Sequence, residues 1–254
     1  MSDRLFDTYR AAHEQGFMPI FVEDDFDSRM LVDACIAAGC TCIEYTLRRR
    51  DADTMIPWIR EKYPDLHLLV GSTLDDETIL AKAKRRYPQL LTLAELDAMN
   101  VDGFVSMLGF SLDSIRTYAP RRLVAPTAMT VTEAFQQTGA GAHLIKLLGT
   151  DLSFVRRCRA DAAFDYCPVM VTGGMTPQRI PEAIEAGSIT VGAGFDLILK
   201  DQPSDVSCEE TARRIGPYLE AARTAREKRW PALAAATGAD RQTWLNALPH
   251  HHPF

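Results

Sequence analysis

The sequence Ala142-His143-Leu144-Ile145-Lys146-Leu147-Leu148-Gly149 is a short apolar run with a single lysine near its centre. It follows the turn Gly139-Ala140-Gly141 and ends in a glycine, which is typical of a β-strand buried on both faces. A lysine in such a strand cannot extend its ammonium group into water. The residues alone leave two hypotheses open: Lys146 is a reactive amine, or it pairs with a buried carboxylate for structural reasons.

Seven further short apolar runs flank this lysine strand, and helical patterns alternate with them. Eight βα units, which recur about every 20 to 25 residues, predict a single (β/α)8 TIM barrel of the α/β class. A doubly wound sheet is the alternative, but it gives no reason for eight units. The predicted strands cover residues 17–22, 41–47, 66–72, 103–108, 122–126, 142–149, 167–172 and 188–192.

Helical patterns also lie at both ends of the chain. Residues 2–15 are predicted to form an N-terminal helix, and residues 209–230 a long C-terminal helix. No linker rich in Gly, Ser or Pro divides the chain, so we expect one barrel domain at 1–230 and a C-terminal helical appendage at 231–254. Within the barrel, Thr130 with Glu133 three residues later predicts a capping box.

The composition is that of an ordinary globular protein of 254 residues, with 46% hydrophobic residues and a formal net charge of −6. The negative charge argues against nucleic acid as the main partner. Six cysteines without a CxxC pair are typical of a reduced, cytoplasmic protein. The sequence has no apolar signal core or membrane-spanning run, so we expect no membrane partner. We expect the histidines at 250–252 to form a surface tail rather than a metal site.

The two-residue period of a strand predicts where Glu44 points. Cys42, Glu44 and Thr46 share one face of the second strand, and the more apolar residues between them share the other. Both faces of a barrel strand are dry, one against the interior and one against the helices. We therefore expect Glu44 inside the barrel, where it could neutralise Lys146 as a purely structural pair.

The functional hypothesis uses the same two residues. Burial favours the uncharged amine of a lysine, and an uncharged amine can attack a carbonyl to form a Schiff base. The iminium then withdraws electrons from the adjacent carbon, and a nearby carboxylate can move protons there. This is the chemistry of a class I aldolase, with Lys146 as the nucleophile and Glu44 as the acid/base.

Polar residues and glycines follow several predicted strands, at the rim where a barrel binds its substrate. Arg48 ends the second strand, and its planar fork suits a carboxylate or phosphate, with simple solvent exposure as the alternative. Loops with paired glycines end the seventh and eighth strands and can present N–H groups to an anion, although ordinary turns are the alternative for each. The other candidate binding residues of this rim are Thr73, Thr172, Gly173, Gly174, Gly192 and Gly194.

The segment Gly39-Cys40-Thr41-Cys42-Ile43-Glu44-Tyr45-Thr46-Leu47-Arg48 resembles the strand-two signature of the 2-keto-3-deoxy-6-phosphogluconate and 4-hydroxy-2-oxoglutarate aldolase family. Val70-Gly71-Ser72-Thr73, the lysine strand, Thr172-Gly173-Gly174 and Val191-Gly192-Ala193-Gly194 follow in that family's order. The Glu-x-Thr-Leu-Arg and Thr-Gly-Gly elements are the most specific parts.

This resemblance implies that Lys146 is the Schiff-base lysine and Glu44 the general acid/base. It implies that Arg48 and Thr73 bind the substrate carboxylate, and that the two glycine loops bind a phosphate. It further implies a homotrimer that uses no metal and no other cofactor.

The chain also departs from the family pattern at the substrate end. Lys146 is followed by Leu147-Leu148-Gly149-Thr150 where the family usually has Phe-Pro-Ala. Ser72 stands where glycine is common, and Gly194 where a phosphate-binding serine is frequent. The segment between the third and fourth strands, around 85–100, is longer than usual. Aldolase chemistry is therefore better supported than any particular phosphorylated sugar acid.

We accordingly expect a lyase of carbohydrate metabolism that reversibly cleaves a 2-keto-4-hydroxy acid to pyruvate and an aldehyde. Whether this substrate carries a 6-phosphate is left open by the sequence. One alternative is a phosphate-binding barrel epimerase or isomerase in which Glu44 and Lys146 transfer protons without an imine. The other is a non-catalytic barrel that binds an anionic metabolite through Arg48 and the glycine loops.

Overall fold

The computed structural model describes residues 3–149, 152–160 and 167–254. Thr150 and Asp161, the latter the end of a predicted helix, lie outside the described residues. Eight parallel strands form the sheet of the described chain. They are Phe17–Phe21 (β1), Cys42–Thr46 (β2), His67–Gly71 (β3), Gly103–Val105 (β4), Leu123–Ala125 (β5), Ile145–Leu148 (β6), Val169–Thr172 (β7) and Ser188–Gly194 (β8).

Helices alternate with these strands and flank them at both ends of the chain. They are Asp3–Gln15 (α1), Ser28–Ala37 (α2), Ala52–Lys62 (α3), Glu77–Lys84 (α4), Leu93–Ala98 (α5), Leu112–Tyr118 (α6), Val131–Gly139 (α7), Leu152–Ala160 (α8), Ile180–Glu185 (α9), Phe195–Ile198 (α10), Cys208–Arg229 (α11), Pro231–Ala235 (α12) and Arg241–Asn246 (α13). The strand and helix order confirms the predicted (β/α)8 barrel.

The sheet curves into a nearly closed barrel, and the lysine strand lies at the point of closure. Hydrogen-bonded neighbours follow the order β5-β4-β3-β2-β1-β8-β7-β6, so β5 and β6 are its two ends. These ends meet through the backbone of Lys146, whose N–H donates to the carbonyl of Pro126 at 2.8 Å. The carbonyl of Lys146 in turn accepts from the N–H of Ala128 at 3.3 Å. The backbone of Lys146 therefore joins the two ends of the sheet.

The outward and inward faces of the barrel strands belong to two different apolar clusters. Ile43, Tyr45 and other outward residues pack against the surrounding helices in the larger cluster. Cys42 belongs instead to the cluster that fills the barrel interior, together with inward residues of the neighbouring strands. Glu44 shares its strand face with Cys42, so the inward direction predicted from the two-residue period is confirmed.

Helix α1 lies across the amino ends of the strands. Its residue Arg4 donates to the buried carboxylate of Asp102 at 2.7 and 2.9 Å, and Arg60 of α3 donates to the same carboxylate at 2.9 Å. The N–H of Leu68 adds a further bond of 2.7 Å. One carboxylate with four donated hydrogen bonds thus ties α1 and α3 to the starts of β3 and β4.

The helix starts follow local sequence signals. Thr130 accepts a hydrogen bond from the N–H of Glu133 at 3.2 Å, and the Glu133 carboxylate accepts from the N–H of Thr130 at 2.8 Å. This is the capping box predicted before α7, and a second one opens α5 at Thr92 and Glu95.

The C-terminal segment packs on α1. Trp244 of α13 is fully buried and meets the ring of Phe6 edge-on, with 5.8 Å between ring centroids. The ring of Phe254 lies 5.0 Å from that of Tyr9, and His250 is buried with its Nε2 3.3 Å from that of His13. The expectation of a surface tail is therefore wrong for His250, because aromatic residues of α1 offer the end of the chain an apolar surface. The division of the chain at residue 230 stays a prediction.

Over residues 3–149, 152–160 and 167–254, none of the helices combines the length and the apolar character needed to cross a bilayer.

His143, just before the lysine strand, should make stability depend on pH. Burial lowers the pKa of His143 to about 4, and its Nδ1 accepts a hydrogen bond from the N–H of Val124 at 3.1 Å. Because the unfolded chain takes up this proton near pH 6.5, stability should fall as the pH drops from about 6.5 to about 4. His143→Asn keeps an acceptor but cannot titrate. The free energy of unfolding of this variant, measured by urea denaturation, should therefore fall by about 1 kcal/mol less per pH unit than that of the wild type between pH 6 and pH 5. Equal slopes for the two proteins would contradict this assignment.

Candidate active site

Lys146 and Glu44 meet inside the barrel. The Lys146 Nζ donates to Glu44 Oε1 at 3.0 Å and lies 3.2 Å from Oε2. The two residues are only 3% and 1% exposed, respectively. They are separated by 102 positions in the sequence, and each comes from the inward face of its strand.

Strand register fixes both positions. Glu44 lies beside Ile20 of β1 and Leu69 of β3, while Lys146 lies beside Met170 of β7. These three neighbours are apolar, and the two side chains of the pair are almost completely buried. A carboxylate and an amine in such surroundings stabilise each other, and removal of either one leaves the other without its partner.

Gly71 provides the space for the Glu44 carboxylate. A Cβ atom added at Gly71 would overlap Glu44 Oε1 and approach the Cδ and Cγ atoms to 3.0 Å. Gly71 belongs to the motif Val70-Gly71-Ser72-Thr73, but the motif by itself does not reveal this role. The signal that could have identified it is a glycine on the strand next to the one that carries a buried carboxylate.

Thr73 and Ser72 follow β3 at the carboxyl end of the barrel. Thr73 is fully buried, and its hydroxyl donates to the carbonyl of Val105 at 2.9 Å. Ser72 has a φ angle of 61°, in the left-handed region that favours glycine. The backbone therefore retains a conformation suited to the glycine that the family commonly has at this position.

The three consecutive arginines after β2 have different roles. Arg49 is 2% exposed and donates to the carbonyl of Phe26 at 2.8 Å and to the hydroxyl of Ser28 at 2.6 Å. It therefore holds the loop after β1 to the end of β2. Arg48 and Arg50 are exposed at the mouth of a cleft.

The glycine loops lie side by side because of the strand register. Thr172 pairs with Gly192 across β7 and β8 and with Leu148 on β6. Gly173 and Gly174 have φ angles of 93° and 62°, so both need glycine.

Arg179 is a residue of this region that the sequence analysis missed. It donates to the carbonyl of Gly174 at 3.0 Å and to that of Gly149 at 2.8 Å. It thereby joins the loop after β7 to the end of the lysine strand. No short motif marks Arg179, since its partners are backbone carbonyls distant in sequence.

The loop after β8 carries a negative charge. Gly194 precedes the short helix α10, and the carboxylate of the exposed Asp196 lies against Gly194, where a side chain at that position would otherwise begin. This carboxylate opposes a doubly charged phosphate at the loop.

A (β/α)8 barrel with a lysine and a carboxylate paired in its interior has the layout of a class I aldolase. No family model matches the chain. The chain is 28% identical over 194 residues to the 2-dehydro-3-deoxy-6-phosphogalactonate aldolase of Escherichia coli (strain K12). The alignment covers 75% of this chain and 87% of that protein.

The chain is also similar to several solved structures. A structure named "Native KDPGal structure" has a TM-score of 0.64 and 25% identity, covering 83% of this chain and 96% of that one. The 2-keto-3-deoxy-6-phosphogluconate aldolase of Zymomonas mobilis ZM4 with 3-phosphoglycerate shares the fold, with a TM-score of 0.60, 20% identity and coverage of 86% and 94%. These matches confirm the resemblance of the chain to the 2-keto-3-deoxy-6-phosphogluconate and 4-hydroxy-2-oxoglutarate aldolase family.

Gly71→Ala tests how closely the Glu44 carboxylate is held. The added methyl group should displace Glu44 from Lys146, lower the free energy of unfolding by about 1–3 kcal/mol and reduce any turnover that depends on the pair. Urea denaturation gives the first quantity. Gly216→Ala is the control, because a Cβ there meets open space within helix α11 and should be neutral or stabilising. An unchanged unfolding midpoint for Gly71→Ala would disprove the overlap.

Proposed function

We propose that the protein is a class I aldolase that reversibly cleaves a 2-keto-4-hydroxy acid to pyruvate and an aldehyde. The observation that carries this proposal is the buried contact of 3.0 Å between Lys146 Nζ and Glu44 Oε1, inside a barrel whose relative is an aldolase. A structural pair needs only charge neutralisation, whereas this pair also has glycine loops and an arginine at the carboxyl ends of the strands.

The geometry suggests how the reaction begins. Glu44 accepts a proton from Lys146, since the two groups are in hydrogen-bond contact. The free amine then attacks the C2 carbonyl of the keto acid. The protonated Glu44 gives its proton to the hydroxyl group of the resulting carbinolamine, which leaves as water, so that an iminium ion forms and Glu44 is again a carboxylate. Within the described part of the chain, the hydrogen bonds of the Lys146 amine go to Glu44, so proton transfer to this carboxylate frees the amine for attack.

Carbon–carbon cleavage follows from the same pair. Glu44 takes the proton of the C4 hydroxyl as the C3–C4 bond breaks, and the electrons of that bond move to the iminium, forming an enamine. The aldehyde leaves. Protonation of the enamine at C3 and hydrolysis of the resulting iminium release pyruvate and restore Lys146.

Anionic groups of the substrate are bound at the rim in this proposal. Arg48 binds the C1 carboxylate. The Thr73 hydroxyl also binds this carboxylate, in place of its hydrogen bond to the Val105 carbonyl. The loops Thr172-Gly173-Gly174 and Gly192 to Gly194 supply backbone N–H groups. The homotrimer and the cytoplasmic location stay predictions.

Trapping of the imine tests the proposal directly. Incubation with pyruvate and sodium borohydride should attach one reduced pyruvyl group to Lys146. Pyruvate is the product, and in the proposed mechanism it forms an imine with the same lysine. Peptide mass spectrometry locates the adduct. An unmodified Lys146, under conditions that label a known class I aldolase, would exclude the Schiff-base mechanism and favour proton transfer without an imine or binding alone.

Substitutions separate the roles of the two residues. Lys146→Ala should abolish both trapping and cleavage. Glu44→Gln should keep a hydrogen-bond partner for the amine yet lower kcat for cleavage by about 10²–10⁴-fold, the usual contribution of a general acid/base. Circular dichroism of each variant controls for folding. A near-normal kcat for Glu44→Gln would remove Glu44 from the mechanism.

A further inference from the structure

The end of β6 packs directly against the loop after β7. The N–H of Gly149 donates to the carbonyl of Thr172 at 2.6 Å. A Cβ atom added at Gly149 would come within 2.8 Å of Val171 Cγ1 and 3.0 Å of the carbonyl oxygen of Gly173, so glycine permits this close approach. Because Gly149 lies three positions after Lys146, the placement of the loop is set relative to the lysine strand.

Arg179 bridges the same two segments. Its Nη1 donates to the carbonyl of Gly174 at 3.0 Å, and its Nη2 donates to the carbonyl of Gly149 at 2.8 Å. The side chain is half-buried between them. The two Nη atoms belong to one planar, rigid group, so they hold the two carbonyls at a fixed separation, which a single ammonium nitrogen cannot reproduce. Arg179 therefore acts as a spacer between the end of β6 and the loop after β7.

The loop that Arg179 holds has backbone donors to offer an anion. Gly173 and Gly174 are exposed, and their N–H groups donate to no residue that the structure describes. Successive N–H groups in a turn of this kind are well suited to a phosphate or a carboxylate. An anion bound there lies at a distance from the Lys146 amine that depends on how the loop is placed.

We propose that Arg179 is a positioning residue that sets the distance between the Lys146 amine and the anion-binding loop Thr172-Gly173-Gly174. This inference rests on the proposed aldolase function. The substrate is held at C2 by the amine, so an anionic group at its far end reaches the N–H groups of the loop only when the loop is correctly placed. Arg179 thereby selects for an aldehyde half that carries a distal phosphate or carboxylate, without contact with the reacting carbons.

Three variants separate the bridge from its charge. Arg179→Met removes both hydrogen bonds and the charge, whereas Arg179→Lys keeps the charge but has one nitrogen in place of the rigid pair. Arg156→Met is the matched control. Arg156 is an exposed arginine of α8 that pairs with the side chain of Glu182 on α9 at 3.4 Å, so its loss removes an equal charge from a neighbouring helix and leaves the bridge intact.

The wild type and the variants are assayed for aldol addition of pyruvate to glyceraldehyde 3-phosphate, succinic semialdehyde and neutral glyceraldehyde. The charged aldehyde that the wild type prefers identifies the distal group as a phosphate or a carboxylate. Both Arg179 variants should raise KM for that aldehyde about tenfold, the loss expected when one charge-assisted hydrogen bond from the loop is broken. KM for glyceraldehyde, kcat and the fraction of protein trapped with pyruvate and borohydride should stay unchanged, because the imine chemistry does not involve the loop.

Several outcomes would overturn the positioning role. A wild-type KM in Arg179→Lys would show that charge alone is sufficient, and an equal rise in Arg156→Met would show a general charge effect. A parallel rise in KM for neutral glyceraldehyde, or a fall in trapping, would mean that Arg179 merely stabilises the barrel. A wild-type preference for neutral glyceraldehyde would remove the anion from the loop. Absence of the pyruvate adduct in the wild type would instead refute the aldolase function, and the inference with it.

Discussion

The rest of the structure depends on the contact between the amine of Lys146 and the carboxylate of Glu44. Both side chains point into the barrel interior, where apolar residues such as Leu69 and Met170 lie beside them. Neither group would be tolerated there alone, because an unpaired charge in such surroundings costs several kcal/mol. The pair couples β2 to β6 from inside the barrel, while the backbone of Lys146 joins β6 to β5.

The two ends of the barrel serve different purposes. At the amino ends of the strands, α1 and the C-terminal helices form a continuous apolar cluster with the barrel interior, and Asp102 links α1 to the strands. At the carboxyl ends lie the glycine loops, the arginines and the segment 85–92, which agrees with the placement of active sites in barrels generally.

Arginines at the carboxyl end of the barrel differ in their contacts. Arg49 and Arg179 donate hydrogen bonds to backbone carbonyls and so hold the loops in place. Arg48 and Arg86 make no such bond to any residue that the structure describes, and both line a cleft. Residue type therefore does not reveal the role of an arginine here; its burial and its partners do.

The sequence by itself determined the alternation of strands and helices, the capping box at Thr130, and the inward direction of Glu44 and Lys146. These depend on local periodicity and on residues three or four positions apart, which a single chain displays directly. Only the tertiary structure decided that Gly71 makes room for Glu44, that Gln89 docks the segment 85–92 on β2, and that His250 is buried against α1. Each of these contacts joins residues far apart in sequence, and its existence depends on strand register and helix packing that no local pattern encodes.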